Sequence, residues 1–179
     1  MNDSEFFEMN HNLHGEREMA GNEVDVELGM LQQRRIEAEI IKPIYDVLVR
    51  DFGLEKAREV IKEAIGQAAI DAGKEFAKKE AQKTTIESFS ALQYLWDKGN
   101  ALEREVISKD EDHYNFNVIK CKYAEMYHEV GLGEIGFLLS CNRDEKFIEG
   151  YAPHIELTRP HTIMNGDGFC DFCYKVKER

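Results

Sequence analysis

The hydrophobic pattern of this chain changes period once, and that change sets the fold class. From Val24 to Arg50, Val24, Leu28, Leu31, Ile36, Ile40, Ile41, Ile44, Tyr45 and Leu48 recur every three or four positions, the spacing of a helix face. Pro43 lacks an N–H and crowds the turn before it, so it should kink or divide that helix. Phe52-Gly53 supplies a stop, because glycine suits left-handed backbone. A second helix is expected from Leu54 toward Ala81, with Ala57, Ile61, Ile65, Ala69 and Phe76 along one side. Its Gly66, Gly73 and alanines predict close packing against a neighbouring helix, and Gly73 is also a point where it could break. Thr84 or Thr85 can cap a third helix with the stripe Ile86, Phe89, Leu92, Leu95 and Trp96, closed by Gly99-Asn100. Trp96 reads as core, with a pocket wall as the alternative.

Beyond that point residues alternate. Glu105–Ser108 and Tyr114–Ile119 read as strands around the turn-forming Lys109–Asp112. Helical spacing returns over residues 121–131 and again from Gly133 to about Cys141. Two further strands, Ile155–Ile163 and Phe169–Lys177, flank Asn165-Gly166-Asp167-Gly168, a strong hairpin signal. The expected architecture is therefore α+β, an N-terminal helical layer packed on a C-terminal antiparallel sheet with a helical insert. Residues 1–22 are polar and aperiodic and read as a loose arm carrying His11 and His14. Residues 23–179 form one domain, with 23–102 as the helical layer and 103–179 as the sheet.

Composition narrows the function. With 42% hydrophobic and 32% charged residues the chain is a globular protein. A formal net charge of −12 argues against wrapping a phosphate backbone, which needs clustered Lys and Arg. No apolar run approaches the ~18 residues of a membrane span, and Met1–Glu8 lacks the order of a secretory signal. All four cysteines, with no such signal, suggest free thiols or metal ligands in the cytoplasm.

Those cysteines fall within residues 121–173, with three of the six histidines, so the usable chemistry is concentrated there. Cys141-Asn142-Arg143-Asp144 can set a thiol and a carboxylate at one pocket rim. A thiolate there needs a charge from Arg143, His154 or His161, and the plain alternative is a buried apolar cysteine beside a helix-terminating aspartate. Cys121, Glu125 and His128 lie near one helical face. With Cys141 or Cys170 they could form a mixed thiolate–imidazole site of the kind zinc favours, or else be a packed thiol beside solvated neighbours. Cys170 and Cys173 face opposite sides of a strand, which weakens a C-x-x-C metal or redox reading. Arg159, sharing a strand face with His161, can clamp a substrate carboxylate or simply lie on an exposed face.

Taken together, several segments carry a family resemblance. Arg34-Arg35-Ile36-Glu37-Ala38, Cys121-Lys122-Tyr123-Ala124-Glu125-Met126-Tyr127, Leu139–Asp144, Thr162–Gly166 and Cys170-Asp171-Phe172 resemble the L-2-amino-thiazoline-4-carboxylic acid hydrolase family over nearly all of residues 25–177. The C-terminal half is also similar to the 4-vinyl reductase-type small-molecule-binding domain. That likeness implies the fold of nitric-oxide-signalling haem domains and Golgi transport subunits, with a pocket between helices and sheet, often as a homodimer. The resemblance implies hydrolytic opening of a small cyclic amidine to a carbamoyl-cysteine, or a binding or sensory domain without turnover. On that reading Cys141 or a metal-bound water attacks, and Asp144, Glu125 or His161 handles protons. Arg159, Cys121, Cys170 and Tyr123 then contact the substrate. The cofactor is none or a single divalent metal such as zinc, held if present by Cys121, His128, Cys141 and Cys170.

Overall fold

The computed structural model describes residues 28–178. The arm expected over residues 1–22, with His11 and His14, and the start of the first stripe at Val24 lie outside them. Helix α1 (Met30–Phe52) contains Pro43 and is not divided by it. The lost N–H removes one hydrogen bond, and Ala38 and Tyr45, buried on either side of it, keep both halves against the core. Part of the apolar stripe points away from that core, since Ile36, Ile40 and Ile44 are exposed. Gly53, with φ of +83°, ends α1 and starts α2 (Leu54–Ala77), which continues through Gly73.

The expected third helix is two short ones, α3 (Ile86–Ala91) and α4 (Tyr94–Asp97). Thr85 caps α3. The Ser88 N–H donates to the Thr85 hydroxyl at 3.1 Å, and the Thr85 N–H donates to the Ser88 hydroxyl at 2.9 Å. Gly99 and Asn100, both at positive φ, then turn the chain into the sheet.

Strands β1 (Leu102–Lys109), β2 (His113–Cys121), β3 (Ile155–Thr158) and β4 (Cys170–Val176) form one antiparallel sheet in the order β1-β2-β4-β3. Tyr114, Phe116 and Val118 of β2 and Cys170, Phe172 and Tyr174 of β4 are buried on one face, as alternation requires. Phe116 is registered opposite Phe172, and their rings stack at 4.7 Å. The sheet-lining core also takes Ile86 and Phe89 of α3.

Between β2 and β3 lies the insert, α5 (Lys122–Glu129) and α6 (Asn142–Tyr151). A 3₁₀ turn at Gly133–Ile135 and a π turn at Phe137–Cys141 lead directly into α6. Cys141 is therefore not a helix end, and Asp144 sits in the first turn of α6 rather than terminating a helix. The charged run Arg143–Lys146 hides that helix in the sequence, but Phe147, Ile148 and Tyr151 resume the apolar spacing and are buried. Helix α6 lies tight on α2: a Cβ at Gly73 would meet the Phe147 carbonyl, and one at Gly150 the Ile70 carbonyl. The α+β class holds, with α6 wedged between the first helical layer and the sheet. Strand β3 is shorter than expected, because Pro160 cannot donate to the ladder and the chain leaves the sheet at Arg159. No helix among the described residues is long and apolar enough to cross a membrane.

Candidate functional site

Where α6 meets the sheet, packing leaves a cavity of about 100 Å³. Its floor is the inward face of the two central strands, with Phe116, Phe172 and Tyr174. Phe89, Trp96 and Phe147 wall it, and Trp96 meets Phe147 edge-on at 5.3 Å between ring centres. Trp96 thus lines the pocket while also packing against the core, so both of its readings apply.

Polar groups enter from several elements. The end of β2 and the start of α5 bring Cys121 and Tyr123, and the π turn brings Ser140 and Cys141. The first turn of α6 brings Arg143 and Asp144, and the segment after β3 brings Arg159. A π turn breaks the i→i−4 ladder and frees carbonyls. Two arginines use them: Arg159 donates through Nη2 to the Cys141 carbonyl at 2.8 Å, and Arg143 through Nε to the Leu139 carbonyl at 2.7 Å. Arg159 also donates through Nη1 to the Asp144 carboxylate and lies 4.7 Å above the Phe172 ring. Its Nε–H is buried with no acceptor among the described residues.

At the other edge of the sheet, Arg104 lies 4.5 Å from the Phe116 ring. It pairs with Asp97 at 2.6 Å and donates to Gln93 at 2.9 Å, and its Nε–H likewise has no acceptor among the described residues. Arg104, Phe116, Phe172 and Arg159 thereby form a row across the sheet. Above it, Arg34 and Arg143 share Glu37, whose two oxygens accept from them at 2.6 and 2.7 Å.

Burial governs the titration of these groups. It pushes the Cys121 thiol up to about 11. Cys141 rises further, through burial first and the nearby Asp144 charge second. Cys170 is raised by burial too, so the cavity thiols are neutral at pH 7. Burial also raises Asp144, with Arg159 offsetting part of the effect. Burial lowers Arg159, but Asp144 and the neighbouring acidic groups together outweigh it, so Arg159 keeps its charge. Tyr123, its hydroxyl also raised by burial, donates to the Trp96 carbonyl at 3.1 Å.

Of the residues picked from the sequence, Cys121, Tyr123, Cys141, Asp144, Arg159 and Cys170 line this one cavity. Glu125 and His128 do not, because both lie on the exposed side of α5. His161 is also elsewhere. It is exposed, its Nδ1 lies 2.9 Å from Asp171, and that contact raises its pKa. Arg159 and His161 therefore share no strand face. The ligand set Cys121, His128, Cys141 and Cys170 is not assembled, since the His128 ring packs against Gly133 instead. Among the described residues no three of His, Cys, Asp and Glu are grouped to hold a metal ion.

Arg34 and Arg104 were not singled out as site residues. Arg34 lies on the helical face of Ala38, Ile41 and Tyr45, and Arg104 shares the inward strand face of Leu102. A charge in register with core positions was the available signal.

The family model described as L-2-amino-thiazoline-4-carboxylic acid hydrolase matches residues 33–174. No curated protein matches the chain. Among solved structures, the phenol-responsive sensory domain of the transcription activator PoxR, crystallised with phenol, superposes with a TM-score of 0.51 at 11% identity, covering 82% of this chain and 76% of that one. Trafficking protein particle complex subunit 3 from Naegleria fowleri, covalently bound to palmitic acid, gives 0.50 at 13% identity, covering 82% and 96%. At these identities the likenesses establish the fold alone.

Proposed function

Because this chain belongs to the L-2-amino-thiazoline-4-carboxylic acid hydrolase family, we propose that its cavity binds a small cyclic amidine such as L-2-amino-thiazoline-4-carboxylate and opens the ring by hydrolysis. The observation that most supports this is the meeting of Cys141, Asp144 and Arg159 at one wall of a buried, aromatic-floored cavity.

Cys141 is the proposed nucleophile. Its thiol is neutral, so attack is coupled to proton transfer. The sulfur bonds to the carbon between ring nitrogen and ring sulfur while its proton passes through Asp144 to the ring nitrogen. The bond from that carbon to the ring sulfur then breaks. The sulfur takes a proton from a neighbouring nitrogen, again through Asp144, and leaves as a thiol. Water adds to the same carbon, Cys141 departs with a proton, and a carbamoyl-cysteine is released. One water is consumed and Cys141 is regenerated. Burial makes Asp144 a stronger base than an ordinary aspartate, which suits it to this transfer. Arg159 holds Asp144 in place and keeps an Nε–H for the substrate, while Cys121, Tyr123 and Cys170 shape the contact surface. Four free cysteines support a cytoplasmic setting.

A second reading, a binding or sensory domain without turnover, is favoured by one observation: all three cavity thiols are pushed toward the neutral form. Incubation with the thiazoline separates the two. A hydrolase releases one new thiol per substrate, whereas a binder gives saturable binding and no thiol.

A further inference from the structure

Among the described residues four arginines line the cavity, and the carboxylates paired with them number three. Arg159 has Asp144 and Arg104 has Asp97, one to one. Among the described residues Glu37 alone serves both Arg34 and Arg143, so the missing negative charge is localised at that pair. We propose that Arg34 and Arg143 form the subsite for a ligand carboxylate, so that the cavity selects planar ring compounds carrying one negative charge. The inference rests on the reading above that this cavity is the ligand site.

Three features support it. The surplus cation occurs in a chain of net charge −12, so it is not the general character of the surface. The side chains of Arg34 and Arg143 are only 16% and 15% exposed. Arg143 is held below the ordinary arginine range first by burial and then by Arg34, a strain that an added anion relieves. Arg159, the clamp suggested by the sequence, already gives both terminal nitrogens to Asp144 and the Cys141 carbonyl. A guanidinium that shares its partner has more to gain from a bidentate carboxylate. The stacked Phe116 and Phe172 floor offers the flat surface a ring needs.

Titration calorimetry with benzoate and benzamide tests this, since the two probes share size and ring and differ in charge. Wild-type protein should bind benzoate at least about ten-fold tighter, the gain of one charge-assisted contact. Arg34→Gln and Arg143→Gln should each weaken benzoate by about that factor and leave benzamide unchanged, which also reports an intact cavity. Glu37→Gln, which frees both guanidiniums, should tighten benzoate several-fold, an effect that damage to the fold cannot mimic. Equal binding of the two probes by wild type, or weaker benzoate binding by Glu37→Gln, overturns the proposal. Arginine-dependent benzoate binding without thiazoline hydrolysis keeps the subsite and removes the hydrolase reading. Hydrolysis with no dependence on either arginine does the reverse.

Discussion

Arg159 and Asp144 are ion-paired at the wall of the cavity, and the same guanidinium donates to the Cys141 carbonyl at 2.8 Å. One side chain, arriving from the segment after β3, thus ties together the π turn and the first turn of α6. The nucleophile, the proton carrier and the cation of the proposed reaction are held by a single contact set.

That tie should be visible in stability. Arg159→Met leaves the Asp144 charge without its partner and should cost about 3–5 kcal/mol at pH 7 in urea unfolding. Asp144→Asn in the same chain should recover part of the loss, because the stranded charge is gone. Lowering the pH should shrink the cost of Arg159→Met, since Asp144 then protonates. Strictly additive losses in the double variant would deny the coupling.

The pH dependence of turnover follows from the same pair. Asp144 must be ionised to accept a proton, and burial raises its pKa. Activity should therefore fall as pH drops through a value above the ordinary aspartate range of ~3.9. Asp144→Asn should remove this acidic limb and lower kcat by about 10²–10⁴-fold. An unchanged acidic limb in that variant assigns it to another group.

The fold was legible where one periodicity dominated. The helical stripes, the Thr85 cap, the Gly53 stop and the alternation of β2 and β4 follow from local pattern alone. Helix α6 was not, because Arg143–Lys146 reads as a solvated turn until the cavity is known to receive Arg143 and Asp144. Six of the candidate residues, from Cys121 to Cys170, line one cavity as their clustering suggested. Glu125, His128 and His161 were drawn in by chemistry, but exposed helix and loop positions carry them outward. Arg34 and Arg104 escaped because their register with core positions is the one local hint, and packing decides which such charges lie inside.

Close packing of α6 on α2 should be sensitive to a single methyl. Gly150→Ala places a Cβ against the Ile70 carbonyl, and backbone must move to admit it. We expect about 1–3 kcal/mol of destabilisation in denaturant titration, the range for overpacking. Gly168→Ala, where no atom lies within 4 Å, is the control and should stay within about 0.5 kcal/mol.

Thiol reactivity should separate the cysteines by environment. Cys173 is exposed, whereas Cys141 and Cys170 are buried and Cys121 is raised to about 11. In iodoacetamide labelling followed by peptide mapping, Cys173 should react first. The other three should lag, because burial both shields them from the reagent and raises their thiols, whereas Cys173, also raised, stays accessible. Labelling of Cys141 ahead of Cys173 would mean that the cavity activates its thiol before substrate arrives.

The most direct measurement compares thiol release from L-2-amino-thiazoline-4-carboxylate by the wild-type protein and by Cys141→Ala. Loss of the nucleophile removes the covalent path and leaves binding in place. The wild type should release one thiol per substrate over many turnovers. Cys141→Ala should release none above the uncatalysed rate while still binding the compound. Release by Cys141→Ala at the wild-type rate would contradict the account and leave Cys141 as a packing residue.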